Sequence, residues 1–159
     1  MFLPIPFIAA FLFAANGSPN TFIIDGCNLM GNKGIPSKRE KLINEFLKIG
    51  RDRTEVILVF DGRVGFGDET KIDKFNGGAL TVVTTKEGFE ADDYILQQIS
   101  GSNESRARNR VIVTADKKLR SLCSSFQYVQ LLNPKRFWKR YRKRLLGKKK
   151  KPEEYKNAK

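Results

Sequence analysis

The sequence predicts a three-layer α/β/α sandwich built on a mainly parallel central sheet of about five strands. Three observations predict it. From residue 20 onward, short β-rich apolar runs alternate with amphipathic helical stretches, and that order gives parallel strands joined by right-handed helical crossovers. One run, Glu55-Val-Ile-Leu-Val-Phe60, shows almost no polar alternation, which suits a central strand covered on both faces. The 159 residues, 40% of them hydrophobic, are enough for one ordinary core. Twelve Phe beside 30% charged residues exclude wholesale disorder, which needs low hydrophobicity as well as high charge.

Residues 1–19 stand apart. Phe2 to Ala15 carries no charge, but a bilayer-spanning helix needs roughly 20 apolar residues, so no stable membrane span is expected. Pro4 and Pro6 weaken a helical reading. The run is like the apolar region of a signal peptide, with Ala15 and Gly17 as a small-x-small pair, but it lacks a basic start. Three readings stay open: a cleaved targeting or organelle leader, a hydrophobic element packed on the domain, or a start codon placed too early. Location is therefore left open between the cytoplasm and an organelle such as a plastid.

The domain proper is expected over residues 20–133. Thr21-Phe-Ile-Ile24 is the first strand and ends in Asp25-Gly26. Ser37 with Glu40 forms a capping-box pattern opening a helix whose apolar face is Leu42, Ile43, Phe46, Leu47 and Ile49, and Gly50 ends it. Glu55 to Phe60 is the second strand and ends in Asp61-Gly62. Arg63 to Gly78, rich in Gly and charge, reads as a loop with a short helix around Lys71 to Phe75. Ala79 to Thr84 is the third strand, and Glu90 to Ser100 is a helix with Ile95, Leu96 and Ile99 inward. After a polar loop from Gly101 to Asn109, Arg110 to Thr114 is the fourth strand, followed by Ala115-Asp116 and a helix from Lys117 to Cys123. Gln127 to Leu131 is the fifth strand, and Pro134 opens a basic helix at its first turn.

The chain has no histidine, which excludes a Ser-His-Asp triad, a Cys-His pair and His-ligated zinc or haem. Two cysteines, Cys27 and Cys123, are too few for a zinc site or a disulfide framework and read as reduced thiols. Hydrolysis would have to run on carboxylates, hydroxyls, Lys or a metal.

Carboxylates are well placed for it. Asp25, Asp61 and Asp116 each end a strand, and ligands of open parallel α/β sheets sit beyond the strands' carboxyl ends. Asp92 and Asp93 open the helix after the third strand, at the same rim. Singly, each Asp reads as a turn former or helix cap; three in register with an acidic helix start read as a site. Gathered carboxylates repel unless a proton or cation intervenes, and Mg2+ or Mn2+, hard ions that keep several waters, suit oxygen donors. Such an ion polarises a phosphoryl oxygen and generates hydroxide near neutral pH. Asn28 either caps a short helix or turns its amide toward the metal-bound water or a phosphate. Glu87, Glu90 and Thr114 are weaker candidates. No P-loop motif occurs, and Gly62, Gly65 and Gly67 lack dinucleotide-binding spacing, reading as a flexible loop.

Charge is divided along the chain. Met1 to Asn133 carries 17 basic and 15 acidic residues; Pro134 to Lys159 carries 13 basic and two acidic, a net of +11 out of +13. A block of this kind reads as a polyanion contact through Lys135, Arg136, Lys139, Arg140, Arg142, Lys143 and Arg144, with nucleic acid ahead of a solvated tail and an acidic membrane surface or ribosomal RNA fitting the charge equally well. Phe137, Trp138 and Tyr141, interleaved with the cations, supply stacking surface for RNA.

Asp25-Gly-Cys-Asn28, Val59-Phe-Asp61-Gly, Thr84-Thr-Lys-Glu-Gly-Phe-Glu-Ala-Asp92 and Val113-Thr-Ala-Asp116 resemble, in order and spacing, the motifs of the YacP-like NYN domain, within the wider PIN-like nuclease group. The resemblance covers roughly Asn20 to Phe137. It implies a PIN-like sandwich and metal-dependent endoribonuclease activity on single-stranded or exposed RNA, in RNA processing or ribosome-linked mRNA cleavage, with Asp25, Asn28, Asp61, Asp92 and Asp116 in the site positions. Cys27 stands where the family usually has Tyr, Phe89-Glu90 replaces Glu-Thr, and Ala115 stands where Ser is common. None of these departures removes a carboxylate.

Overall fold

In the computed structural model, which describes residues 21–49, 54–65, 67–101 and 110–146, the alternation of short strands and helices builds one six-stranded sheet. The strands are β1 (Thr21–Asp25), β2 (Glu55–Phe60), β3 (Lys71–Phe75), β4 (Leu80–Thr84), β5 (Arg110–Val113) and β6 (Val129–Leu132). Their order is β3-β4-β2-β1-β5-β6. Every neighbouring pair is parallel except β3 with β4. The helices are α1 (Gly26–Met30), α2 (Arg39–Phe46), α3 (Ala91–Ser100), α4 (Lys117–Ser124) and α5 (Pro134–Leu146).

The sheet is covered on both sides because the middles of its central strands are mostly apolar on both faces, and successive side chains of a strand point to opposite faces. Phe22 and Ile24 of β1, Val56, Leu58 and Phe60 of β2, and Leu80 and Val82 of β4 meet α1, α2 and α5 in one core. Ile23, Val59, Val83 and Ile112 meet α3 and α4 in the other. The result is the predicted three-layer sandwich, and it is PIN-like.

Several expectations change. Lys71 to Phe75 is a strand, not a loop or short helix: it pairs antiparallel with β4, Phe75 opposite Leu80. The reversal runs through Asn76, Gly77 and Gly78, all at positive φ, where glycine has no steric penalty. The Asn76 amide donates to the carbonyls of Leu47 and Ile49 at 2.8 and 3.2 Å, tying the hairpin to the end of α2. Ser37 does not cap α2; Lys38 is the cap and makes no side-chain bond. The helix gives way at Leu47, before Gly50, which lies outside the described residues. The last strand begins at Val129 rather than Gln127.

The helix from Pro134 forms as predicted but does not stand apart from the domain. Phe137, Tyr141 and Leu145 recur every fourth residue along one face and are buried in the α1/α2 core. Phe137 lies 5.4 Å from Phe22 and 6.3 Å from Phe46, ring centre to ring centre. A boundary at residue 133 would cut this core. The N-terminal run of residues 1–19 and the Gly101 to Asn109 loop beyond Gly101 lie outside the described residues. No helix among the described residues is long and apolar enough to cross a membrane.

Candidate active site

Parallel strands end together, so their terminal carboxylates share one rim. Asp25 is the last residue of β1, Asp61 directly follows β2, Asp116 lies just beyond β5, and Asp92 is in the first turn of α3. Three of the four are held by helix N-termini, whose unpaired N–H groups seek acceptors and favour negative charge. Asp25 Oδ1 accepts from the Asn28 N–H at 3.1 Å, opening α1. Asp116 Oδ1 accepts from Leu119 at 2.8 Å, opening α4. Asp61 Oδ1 accepts from Ala91 at 2.6 Å, the first residue of α3. Each strand-end carboxylate thus fixes the start of a helix with one oxygen.

Two glycines let the rim close. A Cβ on Gly26 would sit 2.5 Å from the Phe60 ring, and one on Gly62 would sit 1.9 Å from the Thr85 carbonyl oxygen. The two Asp-Gly pairs therefore serve close approach of neighbouring strand ends, and Gly62 is not part of a flexible loop. The buried Thr85 completes the junction: its hydroxyl accepts from the Gly62 N–H at 3.0 Å and donates to the Phe89 carbonyl. Beyond Gly62, the Gly65 N–H donates to Glu87 Oε2 and the Glu87 N–H to the Gly67 carbonyl, so the two rim loops are cross-tied.

The electrostatics centre on Asp25. It is 7% exposed, and its pKa is raised to about 6, chiefly by burial; the Asn28 N–H opposes the shift, and the charges of Asp92, Asp61 and Asp116 add to it. Asp92, half-buried, is also raised, by desolvation first and then by Asp116, Glu90, Asp61 and Asp93. Among the described residues, none of Asp25, Asp61, Asp92 and Asp116 has a Lys or Arg within ion-pair distance. Four hard oxygen donors in one another's field, without a protein cation, form a donor set suited to a hard divalent ion. No three acidic or cysteine side chains among the described residues already enclose a common metal position. An ion bound with one or two of these carboxylates would complete its shell with water, as Mg2+ usually does.

The thiols do not compete for this role. Cys27 is exposed, but partial desolvation pushes its thiol up, a hydrogen bond to the Asp61 backbone opposes this, and the charges of Asp61 and Asp25 add to the rise. Cys123, buried in α4, is pushed up to about 11 by burial and by Asp92. Both stay protonated at neutral pH, the unreactive form.

Other predicted positions have different duties. Asp93 is exposed and accepts from the Glu90 N–H at 3.2 Å, as half of a capping box with Glu90, so one of its oxygens serves the start of α3. Asn28 caps no helix, and its amide oxygen is engaged within the protein. That oxygen accepts from the Ala115 N–H at 2.8 Å, bridging the ends of β1 and β5. Thr114 is buried and its hydroxyl accepts from the Asp116 N–H. On α5, Lys135, Arg136, Lys139, Arg140 and Arg142 are exposed. The aromatics do not offer the expected stacking surface: Phe137 and Tyr141 are core, and Trp138 is half-buried, its ring steeply inclined to that of Phe46 at 6.2 Å and the Arg142 guanidinium over it. The side chains of Lys143 and Arg144 lie outside the described residues.

The sequence reading gave no part to Arg39, the first residue of α2. Its guanidinium lies 4.5 Å from the centre of the Phe60 ring and donates to Thr84 Oγ1, two residues paired at the carboxyl ends of β2 and β4. A lone Arg at a helix start carries no motif, and the cue for it is purely spatial.

A six-stranded PIN-like sheet whose rim carboxylates have no ion-pair partner among the described residues is the architecture of a nuclease-type, RNA-related domain. The chain matches the family of the YacP-like NYN domain over residues 22–159 and belongs to it. It is 27% identical over 142 residues to a UPF0229 protein of Nitrobacter hamburgensis, an alignment covering 76% of this chain and 32% of that protein. The chain thus spans about a third of the length of that curated relative. No solved structure matches the chain.

Proposed function

We propose that the protein is a divalent-metal-dependent endoribonuclease acting on single-stranded or exposed RNA, in RNA processing or ribosome-linked mRNA cleavage. The observation that carries this reading is Asp25: a buried carboxyl in the field of Asp61, Asp92 and Asp116, with no basic partner among the described residues. Such a group calls for a cation from outside the chain.

Asp25, Asp61, Asp92 and Asp116 would hold Mg2+ or Mn2+, which when bound supplies an activated water and stabilises charge on the phosphoryl group. The helix N-termini at Asp25, Asp61 and Asp116 keep those carboxylates oriented. Asn28 acts as a positioning residue by fixing the separation of the β1 and β5 ends. The exposed cations of α5 draw the RNA backbone, whose affinity gains from released counterions.

The test is a single-stranded RNA pool incubated with the protein in Mg2+, Mn2+ or EDTA. Metal-dependent fragments are expected, and Asp25→Asn or Asp116→Asn should reduce their rate at least about 100-fold with RNA binding retained, since removal of one charge-stabilising element typically costs that much. Equal loss of binding and cleavage in a folded variant would overturn the assigned roles. The helix-capping bonds of Asp25, Asp61 and Asp116 favour one rival, a non-catalytic RNA- or ribosome-binding module in which the carboxylates are structural. RNA retained but uncut in every metal would establish that rival.

A further inference from the structure

The acidic rim explains how an ion is held, but a negatively charged rim repels the phosphates it is to cut. One answer in the structure is Arg39. It is half-buried, and among the described residues it has no ion-pair partner. Its fixed contacts are both neutral: the face of Phe60 and the hydroxyl of Thr84. Phe60 and Thr84 are themselves 1% exposed and close β2 and β4 directly before Asp61 and Thr85. The Phe60 ring also lies against Gly26, the residue after Asp25. A planar guanidinium stacked on a ring and held at one edge keeps other N–H donors in a fixed fork, the geometry that suits a phosphate.

Position supports the same reading. Arg39 starts α2, which shares its layer with α1 and α5, and the basic outer face of α5 begins at the same carboxyl-end rim, directly after β6. Arg39 therefore stands in the layer that carries the α5 cations, against the ring that also meets the residue after Asp25. A half-buried cation used only to pin α2 to β4 would leave its charge uncompensated, whereas a substrate phosphate compensates it.

We propose that Arg39 is a substrate-binding residue that clamps a backbone phosphate of the RNA beside the acidic rim, linking the α5 contact surface to the site. This rests on the endoribonuclease reading above and names a group that reading leaves out. The experiment measures binding of a labelled single-stranded RNA oligonucleotide to the full chain in EDTA, over a salt series, and then cleavage in Mn2+. Arg39→Gln keeps a donor for Thr84 without the charge. It should lower affinity at low salt about 5- to 10-fold and reduce the slope of log affinity against log salt by about 0.7, the value for one phosphate contact on a single strand. Arg39→Lys should restore the slope and leave cleavage impaired, because a point charge replaces the fork. Lys48→Gln, which removes the same charge from the far end of the α2 segment where Lys48 pairs with Glu45, should leave the slope unchanged.

Thermal melting of each variant reports the structural contribution separately. Wild-type binding with an unchanged slope in Arg39→Gln would overturn the phosphate clamp and leave the nuclease reading standing. An equal slope loss in Lys48→Gln would also overturn it, as a general effect of charge. Wild-type protein that neither binds nor cuts RNA would overturn both.

Discussion

Asp25 joins two opposing demands on one residue. Its backbone ends one of the two central strands, which requires burial, while the proposed ion would require its side chain to carry charge. The result is a pKa raised to about 6 from 3.8. Between those values the folded protein binds more protons than the unfolded chain, so this group's contribution makes stability fall as pH rises from about 4 to about 6, and the full penalty is present above that window. Asp25→Asn keeps the oxygen that accepts from Asn28 and removes the charge. In EDTA at pH 7.5 it should be more stable than wild type by about 2–3 kcal/mol, following 1.36 kcal/mol per pKa unit, and the gain should vanish at pH 4. Calorimetric melting at the two pH values checks this; a gain that persists at pH 4 would argue against burial of the charge as its cause. The placement of the carboxylates was legible because strand ends in a parallel sheet lie together. Why glycine follows two of them was not. Gly26 and Gly62 answer to a ring and a carbonyl supplied by other strands, and local sequence holds no trace of those neighbours.

At the scale of the element, α5 shows how one pattern supports two readings. Cations interleaved with aromatics suggest a stacking surface, yet Phe137, Tyr141 and Leu145 recur at helical spacing, and that period sends them to the core. Aromatic residue type alone does not separate a base-stacking platform from a buried stripe; the spacing does, once the helix is known to pack. Phe137→Ala should destabilise the protein by about 3–5 kcal/mol, the usual range for a buried Phe, whereas Lys139→Glu with Arg140→Glu should move the melting temperature little and weaken RNA binding strongly. Melting and RNA titration of both variants test this division; a large melting change in the charge variant would show that the outer face also packs. The helix starts told a similar story. Asp61 holds the first N–H of α3 from another strand, beside the local Glu90–Asp93 capping box, and Lys38, with no side-chain cap, begins α2, so the start of α2 does not follow from a local capping signature.

For the molecule as a whole, the alternation of apolar runs and helices was enough to give a parallel sheet covered on both faces, since only that arrangement buries strands such as β2. Strand order was not legible, because it depends on pairs distant in sequence. The sixth strand escaped because Lys71, Asp73 and Lys74 make it polar, as suits an edge, where charged residues also deter pairing with other chains. Its signal lay in the turn: Asn76-Gly77-Gly78 is a hairpin sequence.

That hairpin also has a place in time. β3 and β4 meet across a few residues, whereas Thr21 must find both Glu55 and Arg110 before β1 is paired on its two sides. Closing a short loop loses less chain entropy than closing a long one, and hairpins form in about 1–10 μs, so β4 should be ordered first and present its free edge to β2. Conservative substitutions in the hairpin, such as Val82→Ala, should slow refolding by nearly their full effect on stability, while those in β5, such as Ile112→Val, should chiefly speed unfolding. Stopped-flow kinetics of the two variants would reveal the order, and a reversed pattern would place the start of folding at β1. The polar strand at the sheet's margin, the element with the least core to offer, would then be where the fold begins.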